Sequence, residues 1–152
     1  MNNTPNQKVR NATVLEYEGI IFKSKLELYC YKKLQELSIT FNYDSVKFNL
    51  LESFVFNNSC YELVKKKDYK KFEQIKPIVK GITYTPDFVG NYPDGSLFII
   101  ETKGNPNDAF PLRWKMFKHL LNEQNIKADI FMPRNQKHID EVINIIKTKC
   151  NV

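Results

Sequence analysis

The stretch Ile82-Thr-Tyr-Thr-Pro-Asp-Phe88, followed after a Pro93-Asp-Gly95 turn by Leu97-Phe-Ile-Ile-Glu-Thr-Lys-Gly104, decides how this chain is read. It reads as one β-hairpin carrying two acids and a lysine: Asp87, Glu101 and Lys103. The midpoint of positions 87 and 101 is residue 94, so a hairpin folded symmetrically about Asp94 sets the two carboxylates directly across from each other. Directly opposed side chains on antiparallel strands have Cβ atoms roughly 4.5 to 5.5 Å apart, and like charges at that separation are destabilising. A positive group is therefore expected between them. Lys103 stands two residues from Glu101, and the strand period of two sends both side chains to the same face.

Two acids and an ammonium on one face suit metal-assisted attack of water on a phosphodiester. Carboxylates are preferred ligands of Mg²⁺, which keeps several waters for substrate phosphate. The ion polarises a phosphoryl oxygen and lowers the pKa of a bound water, while the lysine orients that water or offsets developing charge. An isolated Glu-x-Lys triplet more often only solvates a strand face. Here the same explanation must also account for Pro86-Asp87 at the matching position, for the apolar Phe98-Ile-Ile100 run entering Glu101, and for Gly104 ending the strand.

These residues spell the P-D…(D/E)-x-K signature, and the chain resembles the PD-(D/E)xK nuclease superfamily. Within it, Thr83-Tyr-Thr-Pro-Asp-Phe88 and Glu101-Thr-Lys-Gly104 are most similar to the bacteriophage endonuclease I family of Holliday-junction resolvases. The resemblance covers roughly residues 24 to 50 and 81 to 132. It implies a divalent-metal-dependent DNA endonuclease, of restriction-endonuclease-like fold, acting as a homodimer on branched DNA such as a four-way junction. Asp87 and Glu101 would hold Mg²⁺, with Mn²⁺ able to substitute, joined by the backbone carbonyl of Thr102. Lys103 would position or activate the attacking water. A catalytic Glu on an N-terminal helix has its counterpart in Glu27, within Ser24-Lys-Leu-Glu-Leu-Tyr-Cys-Tyr31, completing the site on the first metal or on a second. Other enzymes with this motif cut linear or transposon-end duplex. The rivals from other classes are a non-catalytic nucleic-acid-binding module of the same fold and a protein-binding chain.

Composition sets the frame. A length of 152 residues, 42% of them hydrophobic and 13% aromatic, is enough for one domain with a real core, spanning 1–152 with a flexible lead-in over 1–12. No apolar run reaches the length of a membrane span, and the polar N-terminal stretch lacks the apolar centre of a secretory signal. Cys30, Cys60 and Cys150 are odd in number and widely spaced, which argues against disulfides and zinc. A reducing cytoplasm is expected, that of the host for a phage-encoded chain. His119 and His138 have no ligand-spaced partner and read as surface histidines.

The net charge of +6 points to an anionic partner. Between Lys65 and Lys80 seven lysines face Asp68 and Glu73, a balance of +5. This basic insertion, residues 57–80, is longer than the link in the resembled family, and residues 61–76 within it read as a helix ended by Pro77. Its Lys65, Lys66, Lys67, Lys70 and Lys71, interleaved with Tyr69 and Phe72, are candidates for gripping a phosphate backbone, or else form a solvated helix face.

Elsewhere the periodicities are plain. Ser24 and Glu27 form a capping box, and Leu26, Cys30, Leu34 and Leu37 give the helix that follows a buried stripe. Phe41 and Tyr43 alternate with polar residues, and Val46, Phe48 and Leu50 do so on the other parity. The slip at Asp44-Ser45 predicts a bulge or bend within a strand pair. Phe54-Val-Phe56 continues the sheet. After the hairpin, Pro111 and the apolar face of Phe110, Trp114, Phe117 and Leu121 mark a helix that carries Arg113, Lys115, Lys118 and His119 outside. Arg113, Lys115 and Lys118 are candidate phosphate contacts, the first and third matching basic positions of the resembled family. Lys127–Met132 reads as a strand, and Ile139, Val142, Ile143 and Ile146 line a last helix. An α/β sandwich, with a mixed central sheet flanked by helices, satisfies all of these faces.

Overall fold

The chain is described by a computed structural model over residues 15–65, 69–104 and 109–151. It opens with a hairpin absent from the sequence reading. β1 (Leu15–Tyr17) and β2 (Ile20–Phe22) pair antiparallel across Glu18-Gly19, which take φ of 52° and 76°. Positive φ at both turn positions matches the twist of the flanking strands. Ser24 then caps α1 (Lys25–Glu36) by accepting from the Glu27 amide at 3.1 Å, as the capping box predicts, and Cys30 and Leu34 are fully buried.

β3 (Phe41–Tyr43) is followed by a change of partner. Asp44 has φ of 45°, a left-handed turn that breaks the strand. The parity slip is therefore not a bulge within one pair; it separates β3 from β4 (Phe48–Leu51), which belongs to a different sheet. The chain continues through β5 (Phe54–Val55), β6 (Tyr61–Lys65), β7 (Lys70–Gln74), β8 (Ile78–Val79) and β9 (Ile82–Tyr84). These form nested antiparallel pairs, β4 with β9, β5 with β8 and β6 with β7, so residues 48–65 and 70–84 make one long two-stranded arm.

Two expectations are corrected here. The helix expected over 61–76 is replaced, among the described residues, by the paired strands β6 and β7, with Leu63 opposite Phe72 and Lys65 opposite Lys70. Lysine favours helix locally, but the tract has no apolar stripe of helical period to bury, and the strand pairing begun at β4–β9 satisfies its backbone instead. Residues 82–84 likewise pair with β4, so the motif hairpin is shorter than expected and begins only at Phe88, beyond Pro86.

That hairpin joins β10 (Phe88–Asn91) to β11 (Leu97–Ile100), closing where Gly95 has φ of 83° and its amide donates to the Tyr92 carbonyl at 2.9 Å. α2 (Phe110–Glu123), with Pro111 in its first turn, crosses over to β12 (Ala128–Phe131), which lies parallel to β11 as such a crossover allows. α3 (Gln136–Cys150) closes the chain. The central sheet is thus mixed and runs β12-β11-β10-β3.

The strand period of two divides its side chains between two cores. Phe88, Phe98 and Ile100 pack with Cys30 and Leu34 of α1 and with Ile139, Ile143 and Ile146 of α3. Val89 and Ile99 pack with Phe110, Phe117 and Leu121 of α2. Helices therefore cover both faces. Gly90 is dictated by its cross-strand partner: a Cβ there would lie 2.1 Å from the buried Phe98 ring. Cys30, Cys60 and Cys150 are free thiols, and among the described residues no helix is long and apolar enough to cross a membrane.

Candidate active site

The β10–β11 register pairs Phe88 with Ile100 and Asn91 with Leu97. One further step along it sets Asp87 against Glu101, as the symmetric hairpin requires. Glu101 and Lys103 stay extended past the end of β11 because their amides donate to the carbonyls of Phe131 and Pro133, each at 3.0 Å. Tyrosines aside, the buried polar or charged residues among those described are Glu27, Glu101 and Thr102. Buried carboxylates need partners, and these have them.

Glu101 accepts from the Tyr84 hydroxyl on Oε2 at 2.7 Å and from Lys103 Nζ on Oε1 at 2.8 Å. The Lys103 ammonium also lies 4.6 Å from the centre of the Phe110 ring, a cation–π contact that holds it over the cleft floor. Asp87 Oδ2 accepts from both the amide and the hydroxyl of Thr102, each at 2.7 Å. Burial and the neighbouring Glu101 charge push the Asp87 carboxyl up to about 7; the Thr102 bonds oppose the rise and Glu27 adds to it. Burial and the Glu101 carboxylate hold the Tyr84 hydroxyl well above the usual tyrosine range, so it remains a donor.

Glu27 comes from the first turn of α1. It accepts from the Lys23 amide at 3.1 Å, from the Ser24 hydroxyl at 3.0 Å and from the Tyr43 hydroxyl at 2.6 Å. The helix-start role is thus present, and so is proximity to the acid pair, since its charge raises Asp87. Among the described residues no three His, Cys, Asp or Glu side chains close into a metal cage.

A cleft of about 360 Å³ opens beside these groups, lined by Glu101, Lys103, Arg113, Lys23 and Asp44. Lys23 Nζ is 2.6 Å from Asp44 Oδ2. Burial lowers the Lys23 pKa, but the Asp44 bond, with the charges of Asp44, Glu27 and Asp87, outweighs it and raises the group. The Asp44 amide donates to the Asp87 carbonyl at 2.8 Å, tying the turn after β3 to the motif. A larger groove of about 590 Å³ beside Ile20, Tyr31 and Phe41 holds neither a carboxylate nor a cation.

The structure therefore brings Glu101, Lys103 and Arg113 onto one cleft, with Asp87 bonded to Thr102 beside Glu101 and Glu27 near enough for its charge to raise Asp87. Lys115 and Lys118 sit exposed on α2 outside the cleft lining, Lys118 over the Trp114 ring at 5.8 Å. Lys65, Lys70 and Lys71 lie on the arm, Lys71 paired with Glu73 at 3.2 Å. Lys66 and Lys67, like the lead-in over 1–12, fall outside the described residues.

The sequence reading missed Lys23, Tyr43, Asp44, Tyr84 and the side chain of Thr102. Tyr84 and Thr102 were within the motif, where burial of a flanking acid is a signal for a hydroxyl partner. Tyr43 and Asp44 had no such signal, because only the β3–β10 pairing brings them to Glu27 and Asp87.

A family model described as a protein of unknown function, DUF1064, matches residues 7–139. No curated protein and no solved structure matches the chain.

Proposed function

We propose that this chain, which belongs to the DUF1064 family, is a divalent-metal-dependent endodeoxyribonuclease of the restriction-endonuclease-like fold. The observation that carries the reading is Glu101 lining a cleft with Lys103, Arg113 and Lys23, its carboxylate 2.8 Å from Lys103 Nζ and Asp87 next to it across the hairpin, near enough for the Glu101 charge to raise the Asp87 pKa.

The donor set fits a hard divalent cation. Asp87 and Glu101 supply anionic oxygens, and the Asp87 pKa, raised first by burial and then by the Glu101 charge, is one that a bound cation would bring down. Mg²⁺ or Mn²⁺ would be held by these two carboxylates with the Thr102 carbonyl, a short protein ligand list that suits Mg²⁺. When bound, the ion supplies Lewis acidity toward a phosphoryl oxygen. The chain's own residues do the rest. Lys103 orients the attacking water and offsets charge developing on the phosphoryl oxygens. Arg113 and Lys23 bind phosphates beside the scissile bond. Tyr84 and Thr102 hold the two carboxylates in place, and Glu27 contributes negative charge from α1.

The resemblance supports branched DNA, including a four-way junction, as the substrate and a symmetric homodimer as the acting form, since paired cuts need two opposed sites. The test is cleavage of labelled four-way junction, linear duplex and single strand in parallel, with Mg²⁺ and with chelator. The wild-type protein is expected to cut only with metal. Asp87→Ala and Lys103→Met are expected to lose about 100-fold or more in rate while binding DNA within a few-fold of wild type, because surrounding cations supply affinity. Asp87→Ala cutting near the wild-type rate refutes the site.

A further inference from the structure

The three nested strand pairs form one ribbon: between the outer two the Phe56 amide donates to the Pro77 carbonyl at 2.7 Å and the Ile75 amide to the Cys60 carbonyl at 3.0 Å, and at the inner joint Gly81 packs so closely on the opposite strand that a Cβ there would lie 2.7 Å from the Leu51 carbonyl oxygen. Its root belongs to the candidate site. Tyr84 at the end of β9 donates to Glu101, and the Phe48 ring of β4 packs edge-on against Phe117 of α2 at 4.9 Å. Its outer half has a different character. Cross-strand partners share a face, so Tyr61, Leu63, Phe72 and the Lys65–Lys70 pair lie together, Phe72 70% and Tyr61 59% exposed.

We infer that this arm is a β-ribbon that lies along the duplex on one side of the scissile bond, an inference that rests on the nuclease reading of the cleft. An exposed apolar face on a two-stranded sheet, itself marginal in water, calls for a partner. Charge identifies which one. Over residues 48–84 the sequence holds seven lysines against Glu52, Glu62, Asp68 and Glu73, a balance of +3; on the face of Tyr61 and Phe72 Lys65 opposes Lys70 directly across the strands, while the Glu62–Glu73 pair takes the other face. Like charges so placed repel each other and repel a second copy of the same ribbon, whereas a polyanion reverses the sign of that interaction. A two-stranded ribbon is also of a size that the major groove admits.

Length gives the inference a measurable form. From Tyr84 to Lys70, at about 3.3 Å per residue, the ribbon spans at most about 45 Å, or roughly 13 base pairs at about 3.4 Å each. Affinity is therefore expected to rise with duplex length on the arm side up to about 13 base pairs and then to level off.

The test uses fluorescence anisotropy in chelator, with duplexes of graded length and a salt titration. The proteins are wild type, the exposed-lysine variant Lys65→Gln/Lys70→Gln/Lys76→Gln/Lys80→Gln, the face variant Tyr61→Ser/Phe72→Ser, and an arm shortened by joining Phe56 to Pro77 through Asn-Gly. The lysine variant is expected to bind a long duplex on the order of 100-fold more weakly near 0.1 M salt, with a salt slope less negative by about 3. The shortened arm is expected to lose the dependence on duplex length. Unchanged affinity and slope in the lysine variant overturn the inference. So does a face variant that turns a dimer into a monomer by light scattering while binding duplex as wild type does, which would assign the face to a second copy. Turnover of bis(p-nitrophenyl) phosphate by the wild-type protein with Mn²⁺ probes the cleft separately. Its absence, alongside arm variants that weaken duplex binding, would count against the nuclease reading and leave the ribbon as a DNA grip.

Discussion

Replacing Asp87 by asparagine is expected to stabilise the metal-free protein at neutral and alkaline pH. In the fold this carboxyl titrates at about 7 against an ordinary 3.8, because burial and the Glu101 charge disfavour its ionised form. An acid whose pKa is raised by folding binds its proton more tightly in the native state. Its contribution to stability is therefore intact below about pH 4, declines as pH rises through the window to about pH 7, and stays lost above it. At about 1.4 kcal/mol per pH unit the full window corresponds to about 4 kcal/mol. Asp87 is only half-buried, so solvent screening brings the expected difference to about 2 to 4 kcal/mol.

The introduced amide would keep an oxygen for the Thr102 amide and hydroxyl, so that the substitution chiefly removes the charge. The assay is urea denaturation of both proteins in chelator at pH 4, 5.5, 7 and 8.5. The gain in the variant should be near zero at the first pH, partial at the second and full at the last two. Adding Mg²⁺ at pH 8 should stabilise wild type and not the variant, since binding to the native state alone raises stability. Equal stability of the two proteins at pH 8.5, or a gain that does not change with pH, would show that the acid pair is not electrostatically strained.

Gly90→Ala places a methyl group 2.1 Å from the buried Phe98 ring, and the forced shift is expected to cost about 1 to 3 kcal/mol in denaturant melts. Tyr84→Phe leaves one oxygen of the buried Glu101 without its 2.7 Å donor and should cost about 1 to 3 kcal/mol at pH 7; a change within error would show that solvent already serves that oxygen. Ser24→Ala removes the α1 cap, which accepts from the Glu27 amide and donates to Glu27 Oε1. It is expected to cost about 1 kcal/mol, read from thermal unfolding, and to loosen Glu27.

What was legible in the sequence was local. The capping box marked α1 because Ser24 and Glu27 satisfy each other three residues apart. The stripes of Phe110, Phe117 and Leu121, and of Ile139, Ile143 and Ile146, marked α2 and α3 because burial follows helical period. Numerical symmetry about Asp94 set Asp87 against Glu101 because a tight turn fixes hairpin register. The lysine tract, read as a helix from its residue preferences, is strand because each half pairs with the other, Leu63 with Phe72 and Lys65 with Lys70, a local pairing that its composition does not announce.

By itself, then, the sequence determined α1, α2 and α3, the pairing of β10 with β11 and the opposition of Asp87 and Glu101, all of which depend on contacts between residues close along the chain. Only the tertiary structure decided that β4 pairs with β9, that Tyr43 reaches Glu27 and that Lys23 and Arg113 line the cleft beside Glu101 and Lys103. Those contacts join segments whose meeting depends on chain-wide packing of two cores against one sheet, and no local spacing encodes it.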